Sequence, residues 1–121
     1  MEATITEKAM RGIRTYLERR GFDVIEDGWA HGSDKIDFIA RDDEDEGTLV
    51  FISCGITGNS GDGFPADKMD RESLERLAVA YLAEHSDTAD YMIRFDYVNM
   101  LIIGDSRALI RHHRNALAAL G

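Results

Sequence analysis

The chain has 121 residues, 44% of them apolar and 31% charged, with a net charge of −9 and a sequence pI near 4.8. That length suits a single domain spanning residues 1–121 with one well-filled core, and no apolar run is long enough to span a membrane. The negative total argues against broad, non-specific nucleic-acid binding, which needs clustered Lys and Arg against phosphates, although part of the charge sits in one bend, Asp42–Glu46.

The N-terminus lacks the charged-then-apolar pattern of a signal peptide. The only cysteine, Cys54, excludes an intrachain disulfide and any multi-cysteine metal site, which points to a reducing cytoplasm. Thr4 or Thr6 can cap a first helix over about Glu7–Arg20, where Met10, Ile13, Tyr16 and Leu17 share a face and Gly21 stops the run. Phe22–Glu26 predicts a short strand, followed by an irregular Asp27–Asp34 that holds Trp29 and His31. In Ile36–Arg41, apolar Ile36, Phe38 and Ala40 alternate with Asp37, Ile39 and Arg41, the period of a strand. Leu49–Cys54 is almost wholly apolar, as a strand buried on both faces would be. The acidic bend ending in Gly47 joins them as a β-hairpin.

Gly55–Pro65 carries four glycines and the only proline and predicts a connecting loop; it lacks the Lys-Ser/Thr ending of a phosphate-cradling loop. Asp70 caps a second helix over Arg71–His85, with Leu74, Leu77, Ala78, Tyr81 and Leu82 as its apolar stripe. After Ser86–Asp90 breaks the pattern, Tyr91–Ile103 predicts a long strand, Gly104–Ser106 a turn, Ala108–His112 a returning strand and Arg114–Leu120 a short helix. This order of helices and strands predicts an α/β domain with a mixed sheet covered by helices.

The hairpin and its flanks also carry a resemblance. Asp34–Ala40 (DKIDFIA) and Val50–Gly55 (VFISCG), with the preceding YLERRGFDVIEDG and the later RFDYVNMLII and IRHHRNAL, resemble the YraN-like family of small bacterial proteins within the PD-(D/E)xK superfamily. That resemblance implies a restriction-endonuclease-like fold: a central mixed β-sheet flanked by helices. The family's hairpin reads roughly GEIDLIA, a turn, then VFVEVK. In such nucleases carboxylates hold a magnesium ion that acidifies the attacking water, and a Lys two residues from the Glu leaves the same strand face.

Carried over by position, only Asp37 survives here. Lys35 stands at the first Glu, Ser53 at the Glu of ExK and Gly55 at its Lys, and Met10 falls where the family tends to place a Glu in the first helix. Glu7, one turn earlier, is a substitute for that residue, and Arg94 and Asp96 match a retained motif bordering the family's site. No metal ligand other than Asp37 remains at these positions. Lys35 and Asp37, two apart on one strand, are expected to share a face, with the Lys35 ammonium within about 4 Å of Asp37 or a neighbouring carboxylate.

Each residue has a plain structural role as well. Asp37 suits a strand-end ion pair, Ser53 and Gly55 ordinary strand-end positions, and Arg94–Asp96 a structural ion pair. Cys54 suits a buried small apolar residue. His112 and His113 must face opposite sides of a strand, placing one on the surface, and with His31 and His85 they form no metal-binding spacing.

The leading expectation is a catalytically inactive endonuclease-like domain that works without a cofactor as a binding or accessory module in nucleic-acid processing. Its partners would be nucleic acid or a protein that processes it, with no membrane involved. One alternative is a magnesium-dependent endonuclease using Asp37 with relocated groups such as Glu7 and Lys35. The other is an acidic protein–protein interaction domain.

Overall fold

The computed structural model describes residues 4–58, 70–88, 90–104 and 107–117. Thr4 caps α1 (Ile5–Arg19): its Oγ1 accepts from the Glu7 amide at 3.1 Å, and Ala9, Ile13 and Leu17 are buried one turn apart. Gly21, at φ 88°, ends the helix where an L side chain would be strained. Four strands and a second helix follow in the order β1 (Phe22–His31), β2 (Asp34–Asp42), β3 (Thr48–Thr57), α2 (Arg71–Glu84) and β4 (Met92–Ile103), and β5 (Arg107–His113) closes the series.

The strands form one five-stranded mixed sheet in sequential order. β3 and β4 run parallel and the other neighbours antiparallel, so α2 is the crossover between the parallel pair. Two apolar layers lie on the faces of this sheet. Ile13 and Leu17 of α1 pack with Phe38, Ala40, Val50, Ile52 and Val98. Leu74, Leu77 and Tyr81 of α2 pack with Ile36, Ile39, Leu49 and Phe51. A mixed sheet flanked by helices is the restriction-endonuclease-like arrangement expected from the sequence.

Several boundaries differ from expectation. Phe22–His31 is one ten-residue strand rather than a short strand and an irregular segment. Its alternation is hidden because the register slips between Val24 and Glu26, and Gly28 sits at φ 74° inside the strand. β3 runs on through Thr57, because Gly55–Thr57 pair with Asn99–Leu101 of β4 despite the glycine. Residues 59–65 of the expected loop, Asp105–Ser106 of the turn and residues 118–120 of the expected C-terminal helix lie outside the described residues. Of the rest of that expected helix, Arg114–Asn115 form a turn and Ala116–Leu117 enter a 3-10 helix: Asn115 has φ 54°, and its amide donates to Asp96 Oδ1 at 2.9 Å.

Candidate functional site

The β2–β3 ladder pairs Arg41 with Leu49 through to Phe38 with Ile52, and stops there. One step further, the Asp37 carboxylate takes the place of a backbone acceptor: its Oδ2 accepts from the Cys54 amide at 2.7 Å. The alternation of β2 breaks at the same point. Ile36 packs beneath α2 and Phe38 beneath α1, although they are two residues apart. Opposite this step stands Gly28, between Asp27, paired with Phe38, and Trp29, paired with Ile36.

That break corrects the expectation for Lys35. Its side chain is exposed and forms no ion pair with Asp37 or with another carboxylate among the described residues. It lines a cleft of about 240 Å³ at the start of α2 together with Ser53, Ser33 and Ser73. Two carboxylates in the same wall are already engaged. Asp34 accepts two hydrogen bonds from Arg76, and Asp70 caps α2 through the Glu72 amide. Both carboxyls are accordingly held below the usual range, foremost by the hydrogen bonds from Arg76 and Ser73 respectively.

Asp37 is pushed the other way. Burial raises its carboxyl above the ordinary value, and Asp27 adds to the rise, while the Cys54 amide and the Lys35 charge only partly offset it. Cys54 packs against the α1 layer, and burial followed by Asp37 and Asp27 lifts its thiol well above the ordinary value. It therefore behaves as a small apolar residue and not as a nucleophile. Gly55 follows two residues beyond Ser53, opposite Asn99.

These donors do not fit a magnesium site. Asp37 is committed to an amide, Ser53 offers a neutral hydroxyl and Gly55 no side chain. Among the described residues no three His, Cys, Asp or Glu side chains converge. Glu7 is drawn into the α1 cap, where its Oε1 accepts from the Thr4 hydroxyl at 3.2 Å, and it lines a separate cleft with Arg11, Arg14 and Asp27.

Arg94 and Asp96 form the strongest polar assembly described. The Arg94 guanidinium donates to both Asp96 oxygens at 2.9 Å and also to Asp42 Oδ2 at 2.9 Å. His112 Nε2 donates to Asp96 Oδ2 at 2.8 Å, which leaves Nδ1 to accept the Tyr16 hydroxyl at 3.0 Å. Burial alone would raise the Asp96 carboxyl, but His112, Arg94 and the Asn115 amide together hold it below its ordinary value. Phe22 packs beneath the guanidinium groups of Arg94 and Arg114. The sequence motif showed the pair; it did not show that Asp42, His112, Tyr16 and Asn115 complete it. No spacing in the chain could have shown this, because these residues come from α1, β2, β5 and the following turn. The surface position expected for one histidine is also corrected: His112 and His113 are both partly buried, with the sheet register placing them opposite Val98 and Tyr97.

A five-stranded mixed sheet flanked by helices, with a carboxylate where the β2–β3 hairpin opens, is an α/β domain consistent with the restriction-endonuclease-like fold. The family model described as "Uncharacterised protein family UPF0102" matches residues 10–100, and the chain belongs to that family, the YraN family. A UPF0102 protein of Beutenbergia cavernae is 33% identical over 102 residues, covering 82% of this chain and 83% of its own length. Those of Persephonella marina, 28% identical, and Roseiflexus castenholzii, 33% identical, cover 71% and 69% of this chain and 73% and 67% of their own.

Proposed function

We propose that this protein is a non-catalytic member of its endonuclease-like family, a binding module that serves nucleic-acid processing. One observation carries the reading: the surviving acidic residue, Asp37, spends its carboxylate on the Cys54 amide, and its strand neighbours Ser53 and Gly55 bring no charge to a metal. A hard divalent ion needs several anionic oxygens held at once, and one hydrogen-bonded carboxylate falls short of that. Exposed Lys8, Arg11, Arg19 and Arg20 along α1 favour contact with a phosphate backbone there in spite of the total of −9.

The test is a cleavage assay on duplex, single-stranded and branched DNA and on RNA, with magnesium or manganese, run beside Asp37→Ala. No cleavage above the level of that variant is expected. Cleavage that Asp37→Ala abolishes would overturn the reading. Binding to random duplex at physiological salt should be weak, at about 10⁻⁴ M or poorer, and a submicromolar constant would contradict that part.

A further inference from the structure

α2 is apolar on more than the side it buries. Leu74, Leu77, Ala78 and Tyr81 face the core, yet Val79 is 68% exposed on the opposite side. Val79 lies with Ala80 and Ala83 along the floor of a groove of about 780 Å³ between α2 and the end of β1. A surface helix normally keeps apolar residues to one stripe, so a second stripe calls for a second covering.

The rim gives that covering its chemistry. Glu72, Glu75 and Glu84 border the floor, and none of the three forms an ion pair among the described residues. Among the described residues the only Lys or Arg in the wall is Arg76, and both its Nε and Nη2 are bonded to Asp34 at 3.0 and 3.1 Å. The groove therefore presents a net negative rim over an apolar floor. His31 closes one end, stacked on Trp29 at 6.2 Å.

We propose that this groove docks a cationic amphipathic helix of a partner protein. Apolar side chains at i, i+3 or i+4 and i+7 of that helix would cover Val79, Ala80 and Ala83, while Lys or Arg on its flanks meet the three glutamates. From Glu72 to Glu84 the rim runs about 18 Å along α2, the length of three to four helical turns, with the apolar floor in its C-terminal half. The same carboxylates repel a phosphate backbone, so the surface is distinct from any nucleic-acid contact made by α1. The inference thus goes beyond the function proposed above and stands or falls separately from it.

The probe is a synthetic leucine–lysine amphipathic peptide of about 14 residues, titrated into the full chain at about 0.15 M salt with methyl and amide NMR and fluorescence anisotropy as readouts. Saturable 1:1 binding is expected, with the largest shifts at Val79, Ala80 and Ala83. Val79→Asp and the charge-neutral Val79→Ser should each weaken it about tenfold or more. Glu75→Lys should weaken it more than Glu44→Lys, which makes the same charge change in the exposed acidic bend. Val79 is exposed, so its variants keep the fold, and the amide spectrum verifies this. Equal losses for Glu75→Lys and Glu44→Lys, shifts centred elsewhere, or no saturation would overturn the proposal. Self-association abolished by Val79→Asp would also overturn it, by assigning the groove to a second copy of the chain.

Discussion

Asp37 and Asp96 occupy neighbouring strand levels of the same sheet, yet their surroundings act on them in opposite senses. Asp96 is fully buried and satisfied by Arg94, His112 and the Asn115 amide. Its carboxyl is held below the unfolded value of about 3.9, so its stabilisation is complete above that pH and is lost as pH falls through the folded value. Asp96→Asn leaves Arg94 without its principal counter-charge, and about 3–5 kcal/mol should be lost in urea unfolding at neutral pH. Asp37 is raised instead, so its contribution is fully present below about pH 3.9 and is lost as pH rises through the folded value. Asp37→Asn keeps an oxygen for the Cys54 amide and removes the desolvated charge. The variant should therefore raise the urea midpoint at pH 7, with the gain shrinking as pH is lowered. A fall at pH 7 would show that the carboxylate is neutralised by a partner. Lys35→Ala, exposed and outside any ion pair among the described residues, should change stability by no more than about 0.5 kcal/mol.

Among the elements, α1, the acidic turn, α2 and β4 were legible in the sequence because each carries its own signal. Thr4 and Asp70 cap helices whose apolar residues recur at helical spacing, and Gly47 takes φ 81° at the end of the acidic bend. β1 was less legible: a register slip and an internal glycine with positive φ break the period on which a strand is recognised. The pairing of Lys35 with Asp37 failed for a related reason, since the two-residue rule assumes an unbroken strand and β2 changes layers between Ile36 and Phe38. The candidate site was legible in composition, because the missing Glu and Lys can be read directly, but the amide bond to Asp37 depends on how the hairpin opens. Packing of α1 on the sheet gives a direct test at Gly12. A Cβ there would lie 3.3 Å from the Met100 Cε, the far end of a flexible side chain. Gly12→Ala should gain up to about 1 kcal/mol from helix propensity, seen as a higher melting temperature. Ile13→Ala, which empties a fully buried position in the same helix, should lose about 2–5 kcal/mol.

At the scale of the whole molecule, α1, with Lys8, Arg11, Arg14 and Arg19 against Glu7 and Glu18, lies over one side of the sheet, and α2, with Glu72, Glu75 and Glu84 against Arg71 and Arg76, over the other, with the acidic bend at the end of the β2–β3 hairpin. No helix among the described residues is long and apolar enough to cross a membrane. The two faces suit the two contacts proposed above, and the state of Asp37 decides whether a metal-dependent reaction is open to the chain. Calorimetric titration of manganese into the protein and into Asp37→Asn tests that point most directly. Indistinguishable, non-saturating heats are expected for the two proteins. A saturable site of about one ion per chain that disappears in Asp37→Asn would contradict it and restore the metal-dependent nuclease.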